Sequence, residues 1–258
     1  MYRMKYKVSI AICIFLFVFS ESCKKNKVTG LTLSSGVVLD SISDSGGYTY
    51  IATPKGNGPF PAVLYNHGGL GTQIGGDLRA TAIALAESGY LARSEKRKET
   101  TSFSGHLDEV EAALDDLISN SNCNSGRVGA IGFSRGGLLA LQVGKSRASD
   151  LKVIISMAPA QANGQLDNTL NDVSLYDDPI LILVTTNDII QDDHVQLAQM
   201  AYDSLTNNGG NVAQNIYPYY DSNDDGIQNT PPDDGHELFW KIQDPYWSDV
   251  ISFLNSHL

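Results

Sequence analysis

The segment Gly132-Phe133-Ser134-Arg135-Gly136-Gly137 constrains the fold of this chain more than any other. An apolar, strand-like stretch (residues 127–133) runs into it, and Leu138-Leu139-Ala140-Leu141 leaves it like the buried face of a helix. A serine with glycine two residues away on each side, at a strand-to-helix junction, reads as a tight turn that lifts the serine oxygen above a sheet. Side chains at Gly132 and Gly136 would crowd such a turn. The helix behind it would aim unpaired backbone N–H groups at the space in front of the serine. The competing reading is a plain Ser/Gly turn, and residues elsewhere in the chain decide between the two.

The rest of the chain supplies a frame for that junction. Short apolar or alternating runs at residues 37–42, 48–52, 62–66, 90–93, 128–133, 153–157, 180–185 and 212–217 read as strands. Apolar positions at helical spacing mark residues 78–88, 107–118, 195–205 and 244–258, and a helix follows the serine turn. Strands alternating with helices predict an α/β architecture: a mostly parallel, eight-stranded sheet with helices on both faces. The turn-rich Ser43-Asp44-Ser45-Gly46-Gly47 joins the first two strands as an antiparallel pair.

A serine hydroxyl is a weak nucleophile, so it needs a base, and the base needs an orienting acid. In this architecture the chain order is serine, acid, histidine. His236 lies in a loop after the last strand, where such a base is expected. His194 opens a helix beside Asp193, which suits a surface role at a helix start. Three acids follow the strand at 180–185. Asp188 stands in the immediate turn off the strand end, with Asp192 the alternative, while Asp193 and Gln196 resemble a helix-capping pair. The candidate set is therefore Ser134, Asp188 and His236. Two backbone donors should meet an oxyanion, the amide of Arg135 and one from residues 66–71, where Gly69 is the choice and Leu70 the alternative. His67 is expected to brace that loop.

Tyr65-Asn66-His67-Gly68-Gly69, residues 127–137, the strand and turn at 180–188, and Gly235-His236 together resemble the dienelactone hydrolase-like branch of the α/β-hydrolase superfamily. The resemblance implies an α/β-hydrolase fold and cleavage of a carboxylic ester, with no cofactor for the chemistry. Dienelactone hydrolase proper uses cysteine where Ser134 stands, so a serine carboxylesterase working through an acyl-serine is the expectation. Arg93-Ser94-Glu95-Lys96-Arg97-Lys98 stands where many relatives have an Asp-x-Arg-Gly turn, and reads as a solvated loop or as a contact for an anionic substrate. Residues 161–178, where such enzymes often insert a cap, are short and polar. That favours a small soluble or carbohydrate-linked ester over triglyceride. The rival readings are a peptidase of the same fold and a non-catalytic binding lipoprotein on a hydrolase scaffold.

The N-terminal segment and an acidic loop near the C-terminus lie outside this frame. Arg3, Lys5 and Lys7 precede an apolar run at residues 8–19, broken only by Ser9. That run is shorter than the ~20 residues a membrane-spanning helix needs and fits an export signal. Small residues before Cys23 resemble a lipoprotein processing site. The expected organisation is a signal peptide at 1–22, a lipidated tether at 23–35 and the hydrolase domain at 36–258, in the bacterial cell envelope and bound to membrane only by lipid. Ordinary cleavage, with Cys23 incidental, is the alternative. With Cys13 removed and Cys23 lipidated, Cys123 would be the one free thiol of the mature chain, which excludes an intramolecular disulfide. A net charge of −11 argues against nucleic-acid partners. Finally, Asp221, Asn223 and Asp225, with Gly226 sixth, follow a calcium-loop spacing. Pro232 stands where the usual glutamate belongs, so structural calcium and a solvated acidic loop are both open, with Asp233 or Asp234 as substitute ligands in the first case.

Overall fold

The computed structural model describes residues 26–44, 47–69, 74–97, 104–228 and 233–258. The signal segment, Cys23, Leu70 and Pro232 lie outside the described residues. Nine strands form one sheet: β1 (Asn26–Thr32), β2 (Val38–Asp44), β3 (Gly47–Thr53), β4 (Phe60–Asn66), β5 (Leu91–Glu95), β6 (Cys123–Phe133), β7 (Val153–Met157), β8 (Ile180–Thr185) and β9 (Val212–Tyr217). The order across the sheet is β1-β2-β3-β5-β4-β6-β7-β8-β9. Pairing is antiparallel from β1 through β3 to β5, and parallel from β5 to β9. This is the α/β-hydrolase sheet with one strand more than expected. The extra one is β1, in the stretch read as a tether.

The α-helices among the described residues are α1 (Leu78–Glu87), α2 (His106–Ile118), α3 (Arg135–Ser146), α4 (Gln165–Leu170), α5 (His194–Asn207) and α6 (Tyr246–His257). They cover both faces, because successive strand side chains point to opposite sides. On β8, Ile180, Ile182 and Val184 join one core with α2, α3, α4 and α5, while Leu181 and Leu183 join the other with α1 and α6. Caps fix where helices begin. Asp77 accepts from the Ala80 amide at 2.9 Å to start α1, and Asp193 accepts from the Gln196 amide at 3.0 Å to start α5. Among the described residues no helix is long and apolar enough to cross a membrane.

The cap position between β7 and β8 holds only α4 and a single 3-10 turn, Val173–Leu175. Leu166, Leu170 and Val173 are buried in the domain core, so this segment lies on the domain and forms no greasy lid.

Candidate active site

Ser134 sits at the junction of β6 and α3 with φ 54° and ψ −117°, a strained conformation for an L residue. Three hydrogen bonds hold it there. Its amide donates to the Met157 carbonyl at 2.8 Å, and its own carbonyl accepts from Leu138 and Ala160, each at 3.1 Å. The glycines are obligatory for steric reasons. A Cβ on Gly132 would lie 2.0 Å from the Gly136 carbonyl oxygen, and one on Gly136 would lie 1.9 Å from that of Asn66. Arg135 is the first residue of α3, so its amide has no acceptor within the helix, and it is at such a position that backbone amides meet negative charge.

The partners arrive from the ends of two other strands. Asp188 follows β8 in a turn and is fully buried. His236 is carried on a 3-10 helix, Gly235–Trp240, capped by Asp234, whose Oδ1 accepts from the His236 amide at 2.9 Å. Gly235 is required because a Cβ there would meet Thr185 Oγ1 at 2.3 Å. His236 Nδ1 donates to Asp188 Oδ1 at 3.0 Å and Oδ2 at 2.9 Å. That bond fixes the tautomer and leaves Nε2 as the acceptor. Asp192 and Asp193 are exposed and make no bond to His236, so the geometry separates Asp188 from its rivals. Ser134, Arg135, Gly69 and His236 all line one cleft of about 550 Å³, with Trp240 at its half-exposed edge.

The loop after β4 is braced from behind. His67 Nδ1 donates to the Gly68 carbonyl at 2.6 Å, and its Nε2 accepts from the Arg97 amide at 3.2 Å. Those two bonds require the neutral ring, and burial followed by the Arg97 charge pushes its pKa down to about 3. Arg97 donates to the carbonyls of His67 at 2.7 Å and Gly69 at 3.4 Å. Gly69 has φ 83°, which glycine adopts without strain.

Two expectations fail here. Arg93–Glu95 are the end of β5, and Arg97 is neither solvated nor a substrate contact, because it is only 3% exposed and is spent on the backbone behind Gly69; Lys98 lies outside the described residues. Glu95-Lys96-Arg97 keeps the acid-x-Arg spacing of the relatives' turn, and that spacing was the available signal. His194, expected at the surface, is 2% exposed and stacks on the His236 ring at a centroid distance of 4.2 Å. It does open α5, but its side chain turns inward and lines the cleft.

Asp188, His194 and His236 each place a ligand-type atom within 4.8 Å of the others, a spacing a metal ion could bridge. The chemistry does not suit one. The two rings are tilted by only 28°, so their lone pairs run side by side and do not converge, and Asp188 already holds the His236 proton. In the acidic loop, Asp221 accepts from the amides of Asp225 (3.3 Å) and Gly226 (2.7 Å), Asn223 from Asp225 (2.9 Å), and Asp225 from Ile227 (2.7 Å). Asp233 is buried and engaged elsewhere, accepting from Tyr219 Oη at 2.6 Å and the Ser222 amide at 3.1 Å. With Asp234 spent on the cap, neither acid is placed as the missing calcium ligand.

The dienelactone hydrolase family model matches residues 48–222, most of the chain. The chain belongs to the dienelactone hydrolase family. This family of hydrolases is thus matched across Ser134 and Asp188, while His236 lies beyond the matched residues. No curated protein matches this family member. Among solved structures, an acetyl xylan esterase from Paenibacillus sp. R4 is similar, with TM-score 0.59 and 16% identity over 92% of this chain and 89% of that one. An esterase from Pyrococcus furiosus has TM-score 0.58 and 17% identity over 92% and 91%. Porphyromonas gingivalis dipeptidyl peptidase 4 has TM-score 0.62 and 16% identity, covering 92% of this chain but 36% of the peptidase. At these identities the likeness is one of fold.

Proposed function

We propose that this dienelactone hydrolase family member is a serine carboxylesterase working through an acyl-serine intermediate. One observation carries the reading: the buried Asp188–His236 pair opens onto the same cleft as the strained Ser134. Ser134 Oγ attacks the ester carbonyl carbon while His236 Nε2 takes its proton. Asp188 keeps the ring in the working tautomer and stabilises the imidazolium. The oxyanion meets the amides of Arg135 and Gly69. Collapse breaks the carbon–oxygen bond, and the departing alkoxide takes the proton from His236. Water then repeats the sequence on the acyl-serine. No cofactor enters this chemistry, and calcium has a structural place only, at Asp221, Asn223 and Asp225. The uncapped cleft supports a small soluble or carbohydrate-linked ester as substrate. The reading places the enzyme in the bacterial cell envelope, anchored by lipid on Cys23. A mass spectrum of the mature protein without lipid there would remove the anchor from it.

Ser134→Ala and His236→Ala should each lower hydrolysis of an activated acetyl ester by roughly 10⁴-fold or more, and combining them should cost little beyond either alone. A fluorophosphonate should label the wild type and not Ser134→Ala. Unchanged turnover in Ser134→Ala would overturn the proposal.

A further inference from the structure

His194 touches both members of the pair proposed to drive Ser134. Its backbone amide is shared between the carbonyls of Asp192 at 2.9 Å and Asp188 at 3.0 Å, and its ring lies against that of His236 at 4.2 Å and 28°. The ring is itself pinned, because Nδ1 donates to the Pro159 carbonyl at 3.1 Å. Phe133 supplies the other aromatic contact to His236, at 4.5 Å and 43°, and is backed by Phe239 at 5.7 Å.

The bond from His236 Nδ1 to Asp188 fixes one edge of the imidazole. It leaves the ring able to tilt about that edge, and tilting swings Nε2 away from the serine. A flat ring packed against it removes this freedom, and a misplacement of about 1 Å in such an arrangement costs up to ~10²-fold in rate. The partner also has to be uncharged. His236 becomes a cation in each half of the reaction, and a cation is favoured over a neutral π-face but repelled by a second cation. Burial, followed by the nearby His236 charge, lowers the pKa of His194 and keeps its ring neutral.

We infer that His194 is a positioning residue for the base: its stacked ring and its bond to the Asp188 backbone hold the Asp188–His236 pair in line with Ser134. The inference rests on the reading of His236 as the base, and it reaches beyond that reading by giving the second histidine a role. The alternative is that His194 merely fills space at the start of α5.

The two accounts differ in what rescues what. His194→Ala should lower kcat by about 10- to 100-fold and change KM much less, since the ring lines the cleft but its proposed task is to hold the base. His194→Phe keeps a flat neutral ring and should restore kcat to within about fivefold of wild type, although it cannot bond Pro159. His194→Asn keeps an N–H donor without a ring, should be as slow as the alanine variant, and stands in for it if that variant does not fold. The proton on His236 Nδ1 gives a readout without substrate: its downfield NMR signal should be narrow in wild type and His194→Phe and broadened in His194→Ala or His194→Asn. Wild-type kcat in the ringless variants, a phenylalanine variant as slow as they are, or identical proton signals in all would each overturn the inference. His236→Ala separates the two levels. If it is active, the esterase mechanism fails; if it is dead while the ringless variants are fully active, only the role of His194 fails.

Discussion

Lys96-Arg97-Lys98 after β5 and the acidic run after β9 look alike in the sequence, each a block of one sign of charge beyond the C-terminal end of a strand. In the structure they have opposite fates. Arg97 is buried and its guanidinium is committed to two backbone carbonyls of the loop after β4, with burial and the neighbouring Arg135 charge pushing its pKa down to about 9. Asp224 and Asp225 are exposed, and the carboxylates of Asp221 and Asp225 turn back onto amides of their own loop. Sheet position explains the difference. β5 lies between β3 and β4, so a chain leaving it must run beside the β4 loop; β9 is an edge strand, so its exit faces water. Among the described residues of the acidic segment, burial comes where it returns toward His236, at Asp233. Whether a charge is solvated is thus decided by the strand it follows more than by its charged neighbours in sequence.

The comparison is most exposed at Arg97. Arg97→Ala leaves the His67 carbonyl without its guanidinium donor and frees the loop that carries Gly69. Loss of one oxyanion donor costs about 10²–10³-fold in kcat, so kcat should fall by about that much, and the melting temperature should fall as well. Arg97→Lys should recover little, because an ammonium cannot span two carbonyls as a planar fork does. Turnover of Arg97→Ala within about threefold of wild type would show the basic run to be as dispensable as a surface loop.

Asp233→Ala tests the acidic side where it is buried. It strands the Tyr219 hydroxyl and the Ser222 amide, at a cost of about 1–3 kcal/mol each if both stay dry. Thermal melting should move down by several degrees, with a loss of activity below about tenfold because Asp234 still caps the turn bearing His236. A catalytic loss as large as that of Arg97→Ala would erase the contrast between the loops.

The exposed acids should matter least. A weak extracellular-type site of ~10⁻³ M, at a few millimolar calcium, contributes about 1 kcal/mol. Calcium should therefore raise the melting temperature by only a few degrees, and Asp225→Ala should remove the response. Melting curves blind to calcium would leave the loop to its own amides.

Legibility followed the same logic of neighbours. β7 and β8 were readable because their runs are dense, apolar and buried along their whole length, whereas β9, Val212–Tyr217, has Gln214 and Asn215 at its centre and is buried only at Tyr217. The serine turn was readable because its glycines answer to contacts inside one short segment and the adjacent β4 end. Asp188 stood apart from Asp192 by its distance from the strand end alone. β1 was not readable: Asn26–Thr32 has no helical or alternating pattern of its own, and its order comes from pairing with β2. Nor was the burial of His194, since a histidine after an exposed cap looks the same whether its ring turns to water or to His236.

β1 also closes one edge of the described sheet. Leu31 and Thr32 pair with Leu39 and Val38, and the register shifts between Val28 and Leu31, an irregularity that blunts the outer edge. A shortened chain beginning at residue 36 would strip this strip away and offer β2, straight and unpaired, as a template to its neighbours. Such a truncation would leave every group around Ser134 in place and still yield a protein prone to stick to itself. A shortened protein made for work in solution should therefore keep Asn26–Thr32, for the sake of solubility and not of catalysis.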